Sequence, residues 1–384
     1  MSEARRARIA LITYSTKPRG GVVHTLALGE ALHAAGADVT IVTLGDPEVG
    51  FYREVAAPTL IFPAPPGEGT LEDKVFASID ALEVGLRSVG ARFDVLHTQD
   101  CISARAAARI RDSGSGIPVY RTVHHVDDFT TQALIDCQIR AIHEPDRVMV
   151  VSDHWRKLLA QDYGVDADLV WNGVDLELFS SADPTLVERL RERTGISRDR
   201  FLFLAVGGLE PRKGSIHLVR ALAELKNRMP NPPAVAVLGG HSFQDYEAYR
   251  TECLREIDAL GLELGKDVIV LGTVPEEELV AWYHATDALA FPSTNEGWGL
   301  AVLEALAAGR PAVTSDLPVF FEYLTDGVSA LMPPVGDHLA LATALERVAT
   351  DADLRDHLVA GGRPVAEKYS WASSAARHLE LYAD

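Results

Sequence analysis

Cysteine is almost missing from this chain of 384 residues: Cys101, Cys137 and Cys253 are the only three, and no two form a CxxC pair. So sparse and odd a count argues against a disulfide framework or a zinc site and fits a reducing compartment. Basic side chains are also short, 36 Lys and Arg against 55 Asp and Glu, for a net charge of −19. A broad nucleic-acid surface needs clustered positive charge, and an anionic membrane repels a chain of this sign. The small cluster Arg5, Arg6 and Arg8 reads as a solvated terminus. No run of about 18 apolar residues is present, so no spanning helix is predicted. The N-terminus passes straight into Ile9-Ala10-Leu11-Ile12 without a separate signal-peptide core, so no export signal is expected and the location is predicted to be cytoplasmic. Several signatures are absent as well: GxGxxG, the Walker A loop, HExxH and GxSxG. Nicotinamide or flavin binding, and a serine or cysteine nucleophile, are disfavoured accordingly.

What is present is a globular composition, 47% apolar and 24% charged, at a length suited to two domains. Short β-branched runs alternate with helical stretches. Strands are predicted at Arg8–Thr13, Asp38–Thr43, Leu60–Pro63, Asp94–His97, Val119–Val123, Arg147–Val151 and Asp168–Val170, with helices at Val22–Ala35, Leu71–Val89, Ser103–Arg111 and His154–Asp162. A charged, Ser/Asp/Pro-bearing stretch follows at 175–200, and the alternation then restarts at Phe201 and runs through helices at Ser215–Arg228, Gln244–Leu260, Glu276–His284 and Gly299–Ala308. Such alternation predicts parallel sheets covered on both faces. The expected division is 1–176, 177–364 and a closing helical segment, 365–384; both halves are acidic.

Four strand-end loops carry the chemistry. Gly20 and Gly21 stand between the first strand and helix, where paired glycines allow close approach and a helix start offers free N–H groups. Arg212-Lys213-Gly214 follows the strand that opens the second half; two fixed cations beside a helix start suit a diphosphate. The richest loop is Glu296-Gly297-Trp298-Gly299-Leu300, with Glu304 further along the helix. Eight helical residues rise about 12 Å. Glycosidase acid/base pairs lie roughly 5 to 9.5 Å apart. The two carboxylates therefore suit gripping two parts of one long ligand, a sugar and a ribose, with helix-start amides on phosphate between them. The fourth loop is His124-His125-Val126-Asp127-Asp128. Neighbouring strand residues point to opposite faces, so a metal pair is disfavoured and a single histidine making one hydrogen bond is expected. Asn172-Gly173-Val174-Asp175 reads by itself as a turn.

In this order, Gly20-Gly21, His124, Asn172-Gly173-Val174-Asp175, Arg212-Lys213-Gly214 and Glu296-x7-Glu304 resemble the retaining glycosyltransferases of family four. The resemblance runs over essentially the whole chain and takes in Ala308-Gly309-Arg310-Pro311 and Tyr369-Ser370-Trp371. It implies the GT-B fold: an α/β protein of two Rossmann-like domains facing across a cleft, with a C-terminal helix crossing back to the first. It also implies transfer of a hexose-type sugar from a nucleotide-diphosphate sugar, UDP before GDP, to a small-molecule or glycoside acceptor, with no metal and no cofactor.

The resemblance assigns roles residue by residue. Glu296 holds donor-sugar hydroxyls; Gly297, Trp298, Gly299 and Leu300 form the loop whose amides meet sugar and diphosphate. Glu304 takes the ribose. Arg212 and Lys213 neutralise the diphosphate, His124 faces the donor sugar, Gly20 and Gly21 reach the reacting phosphate, and Gly272-Thr273-Val274 cradles the nucleobase. The sequence departs from the family at Gly208, where an Arg is usual, and at Trp298, where Phe is usual and the bulkier ring is expected to wall the sugar site. It also lacks the glycine pair often found near Asp316-Leu317-Pro318. A non-catalytic nucleotide-sugar sensor and a sugar-nucleotide epimerase share the scaffold. Glu296-x7-Glu304 argues against the epimerase, and Gly208 keeps the sensor open.

Overall fold

A computed structural model describes residues 7–89, 92–240 and 246–383; Arg5, Arg6, and the first residues of the helix expected from Gln244, lie outside the described residues. The chain divides into two compact units. One holds the described residues up to Gly173 together with those from Trp371 onward; the other is Val174–Ser370.

The first unit runs β1 (Arg8–Ile12), α1 (Gly20–Ala34), β2 (Asp38–Gly45), β3 (Thr59–Pro63), α2 (Leu71–Val89), β4 (Val95–Thr98), α3 (Cys101–Ile110), β5 (Val119–Val123), α4 (Gln132–His143), β6 (Arg147–Val150), α5 (Asp153–Leu158) and β7 (Asp168–Leu169). Its seven strands are all parallel, in the order β3-β2-β1-β4-β5-β6-β7. Burial is nearly continuous along β1 and β2, as helix cover on both faces of a parallel sheet requires. The order reverses between β1 and β4, so the loops after these strands part and open a crevice at the carboxyl edge. Helix α4 was not legible in the sequence. Its buried positions, Leu134, Cys137, Gln138, Ala141 and Ile142, have helical spacing, but two are not strongly apolar and Thr131 caps it without a side-chain hydrogen bond.

The second unit runs α6 (Leu176–Ser180), α7 (Pro184–Arg193), β8 (Leu202–Val206), α8 (Ser215–Arg228), β9 (Ala234–Leu238), α9 (Glu247–Ala259), β10 (Val268–Gly272), α10 (Glu276–Ala285), β11 (Ala288–Phe291), α11 (Leu300–Ala307), β12 (Ala312–Thr314), α12 (His338–Thr350) and α13 (Ala352–Lys368). Its five parallel strands have the order β10-β9-β8-β11-β12. The last helix, α14 (Trp371–Ala383), belongs to the first unit and packs on α1.

Both boundaries differ from the sequence reading. The second unit begins at Val174 rather than at 177, and the charged stretch 175–200 lies within it. Asp175 caps α6 by accepting from the Leu178 amide (2.9 Å), and Asp183 caps α7 by accepting from the Thr185 amide (2.9 Å), so its acids are helix starts within the second unit. The expected break at 364/365 lies inside α13. Gly361-Gly362-Arg363-Pro364 looks like a terminator, yet a Cβ at Gly361 would strike the Val328 carbonyl and one at Gly362 would stand 2.5 Å from Leu306. These glycines permit close packing, and the helix continues to Lys368.

Candidate functional site

In the second unit, two strand-end loops converge. The 3-10 turn Pro211–Lys213 after β8 ends at Gly214, whose φ of 65° is the left-handed conformation that glycine adopts freely. The Thr294 amide donates to the Arg212 carbonyl (2.9 Å), tying this turn to the loop after β11. Glu296, only 6% exposed, sits at the junction. Its Oε1 receives Lys213 Nζ at 2.6 Å and the Ser293 hydroxyl at 2.9 Å, and its Oε2 receives Arg212 at 3.1 Å. Burial pushes this carboxyl up, but Lys213 and Arg212 more than offset that and hold it at about 2. The Lys213 ammonium also lies 4.5 Å from the centre of the Phe291 ring. Cations and carboxylate, assigned separate tasks from the sequence, thus form one ion cluster.

Gly299, at φ 92°, precedes α11; a Cβ there would stand 2.6 Å from Phe320. No side chain caps α11, so its first amides remain available. The expectation that Trp298 walls the sugar site is corrected. Its indole is 2% exposed and packs against Tyr323 and Tyr369, with ring centroids 4.6 and 5.2 Å away, while the Tyr323 hydroxyl donates to its carbonyl (2.7 Å). The larger ring fills the interior of the unit and leaves only its backbone for the loop.

Glu304 is no solvated helix residue. The Tyr283 hydroxyl donates to its Oε2 at 2.6 Å. Burial raises its carboxyl to about 7 against the lowering effect of that hydrogen bond. At Gly208, φ is 77° and a Cβ would meet the Gly240 carbonyl at 3.2 Å, so an arginine is disfavoured where the family usually has one. Gly272 and Thr273 line a cavity of about 200 Å³ with Leu209, Glu210, Gly239, Gly240, Tyr246, Arg250 and Val270; Val274 lies outside that lining.

The first unit holds the other residues read from sequence. Gly20 begins α1, which Arg19 caps without a side-chain hydrogen bond, and a Cβ at Gly20 or Gly21 would meet nothing within 4 Å, so the helix start faces open space. His124 follows β5. Burial takes its imidazole down to about 3, so it is neutral, and its Nε2–H donates to Gln99 Oε1 (3.1 Å). His125 turns instead to Asp127 (3.2 Å); both histidines lie past the end of β5, so the loop and not strand alternation sets them apart. His124 also meets the ring of His24, centroids 4.5 Å apart, and His24 Nδ1 lies 2.9 Å from Asn172 Oδ1. The turn reading of Asn172 therefore missed a buried anchor for α1. Among the described residues, no group of three or more His, Cys, Asp or Glu is placed to hold a metal ion.

Behind His124 lies a cluster of neutral imidazoles: His24, His97 and His378, the last from α14. His97 bonds the Tyr382 hydroxyl (2.6 Å) and the Thr122 hydroxyl (2.8 Å). Burial lowers all four pKa values, to about 4 for His378. A histidine neutral in the fold but free to protonate when unfolded gives stability that is complete above about 6.5 and is lost as pH falls below it. Buried Asp100, raised to about 6, works in the opposite direction. The four imidazoles prevail: the urea midpoint of the first unit is expected to drop steadily from pH 7 to pH 4.5, by on the order of 1 kcal/mol per imidazole per pH unit. A flat midpoint over that range contradicts the buried neutral cluster.

Two parallel α/β units with polar, glycine-gated loops at their strand ends define a glycosyltransferase of the GT-B class. Residues 18–178 match the family described as "Glycosyltransferase Family 4", and residues 187–364 match "Glycosyl transferases group 1". A D-inositol 3-phosphate glycosyltransferase from Xylanimonas cellulosilytica is 31% identical over all of this chain and 98% of its own length. Among solved structures, a sucrose-phosphate synthase from Thermosynechococcus elongatus superposes with a TM-score of 0.81 at 23% identity, covering 98% of each chain. Anabaena HepE in complex with UDP and glucose superposes with a TM-score of 0.79 at 18% identity, over 99% of this chain and 100% of its own. The chain belongs to the family 4 glycosyltransferases, and its fold is GT-B.

Proposed function

We propose that this enzyme is a retaining hexosyltransferase using a UDP-sugar, with no metal ion. The observation that carries the reading is the Arg212–Lys213–Glu296 cluster beside the uncapped start of α11. Breaking the bond between the anomeric carbon and the β-phosphate builds negative charge on the diphosphate. Arg212, Lys213 and the α11 amides stabilise that charge in place of a divalent ion. Glu296, held ionised, accepts hydrogen bonds from the donor sugar, and Glu304 from the ribose. The acceptor hydroxyl attacks from the face the diphosphate leaves, and the departing phosphate takes its proton. The family resemblance gives His124 the role of a neutral hydrogen-bonding group for the donor sugar. The cavity bordered by Gly272 and Thr273 receives the nucleobase. The HepE structure holds UDP and glucose, which supports UDP ahead of GDP as the nucleotide to try here; the name of the Xylanimonas relative makes a cyclic polyol phosphate the first acceptor to try. The sparse, unpaired cysteines favour a cytoplasmic setting.

A thermal-shift panel tests the donor. UDP at a hundred times its Kd is expected to stabilise the native state by about 2.7 kcal/mol, a rise of a few degrees in Tm. Transfer is expected to persist in excess EDTA. No shift with any nucleoside diphosphate removes the donor assignment, and activity abolished by EDTA and restored by a divalent ion removes the metal-free mechanism.

A further inference from the structure

The Glu304 carboxylate is held asymmetrically. Its Oε2 takes the Tyr283 hydroxyl at 2.6 Å, whereas Oε1 has no hydrogen bond within the described residues and is not sealed in. Tyr283 is itself 1% exposed, on α10, and its ring is met edge-on by Phe179 of α6 with centroids 5.6 Å apart. His284, the next residue, donates from Nε2 to the Phe179 carbonyl (2.9 Å), which locks α6 against α10. A phenol held by its packing on α6 thus presents its O–H to one Glu304 oxygen, with the Ala301 carbonyl as a longer second contact (3.3 Å). Side chains positioned this tightly by their own neighbours are what a binding group needs if it is to lose little freedom when ligand arrives.

The hydrogen bond has an electrostatic consequence. Burial pushes Glu304 towards its neutral form, and Tyr283 is the strongest opposing influence. Glu276, at the start of α10, also raises the pKa, and Lys213, in the turn after β8, lowers it. The other elements packed on α11, namely α6, α13, β11 and β12, add no group that acts on it among the described residues. A neutral carboxyl is the poorer acceptor for a hydroxyl pair.

We propose that Tyr283 is a positioning residue for the donor site: its hydroxyl occupies one oxygen of Glu304 and leaves the other to accept from the ribose of the nucleoside diphosphate. This rests on the ribose role given to Glu304 above.

The test measures the Kd of whichever of UDP and GDP the wild type binds, from pH 6 to pH 9, in wild type, Tyr283→Phe, Glu304→Gln and the double variant. Tyr283→Phe keeps the ring and its packing on Phe179. It is expected to weaken binding roughly tenfold at pH 7, the size of one hydrogen bond to a charged group. The pH dependence assigned to Glu304 should move upward, so that the gap to wild type narrows towards pH 9, and kcat at saturating donor should change less than Kd. In the Glu304→Gln background, the tyrosine substitution is expected to have little further effect. Wild-type Kd and pH profile in Tyr283→Phe overturn the inference alone. So does a tyrosine effect that is undiminished in the double variant, because it would then be purely structural. If Glu304→Gln binds as well as wild type, the ribose assignment fails and the inference falls with it.

Discussion

Replacing Lys213 with alanine is expected to lower kcat at least about a hundredfold, the loss seen when one preorganised donor to a developing anion is removed. Lys213 is the cation closest to Glu296, at 2.6 Å against 3.1 Å for Arg212, and the deeper of the two, with 15% of its side chain exposed against 30%. Its charge has little water to screen it and a fixed direction set by Glu296 and the Phe291 ring. The same substitution strips a buried carboxylate of its strongest partner. Breaking a buried pair costs about 3–5 kcal/mol, and the surviving Arg212 contact should keep the loss near the lower end. Stability and catalysis are separable through Lys213→Ala combined with Glu296→Gln. Neutralising the orphaned carboxylate should restore much of the urea midpoint but none of the turnover. Wild-type kcat in a folded Lys213→Ala variant removes the charge-stabilisation argument.

The second large effect is expected at Gly214, where alanine meets two obstacles at once. The φ of 65° costs an L side chain about 1–2 kcal/mol. The new Cβ would also run into the Pro292 carbonyl, a backbone atom that cannot swing aside as a flexible side chain does. Overpacking of this kind typically costs about 1–3 kcal/mol more. Relief requires the turn after β8 to separate from the loop after β11, which pulls Arg212 and Lys213 away from Glu296. Gly214→Ala should therefore lose roughly 3 kcal/mol by urea unfolding and most of its turnover, although glycine has no side chain to touch a ligand. Alanine at Gly20, which would meet nothing, is the matched control and should unfold at the wild-type midpoint. Equal midpoints for the two variants contradict the steric reading.

The contrast between these two glycines shows where sequence reasoning reached its limit. Strand and helix alternation placed most elements to within a residue or two, because a parallel sheet buried on both faces leaves strong apolar runs punctuated by turns; Val119–Val123, Leu71–Val89 and Ser215–Arg228 agree with the expectation at both ends. The loops carrying Gly20, Lys213 and Glu296 were legible for the same reason, since they fall at strand ends. Their partners were not. Tyr283 lies on a different helix from Glu304, and His24 is 148 residues from Asn172, so no local spacing marks either pair. Trp298 was misjudged because a ring in a polar loop reads as ligand-facing, and only Tyr323 and Tyr369 reveal that it turns inward. The division expected at 364/365 falls inside α13, whose Gly361 and Gly362 serve close packing against Val328 and Leu306.

Helix α14 contributes Trp371, His378 and Tyr382 to the interior around His24, His97 and Tyr120. Segments that precede and follow the second unit in the chain therefore complete a single hydrophobic and imidazole-lined centre. During synthesis, the stretch up to Gly173, nearly half of these residues, leaves the ribosome without the helix that seals it, and must wait for the whole second unit to be made. A chain cut after Ser370 would keep the residues of the second unit together and expose aromatic and histidine surface on the first, so the first unit's interior depends on a helix that the chain reaches only after the second unit.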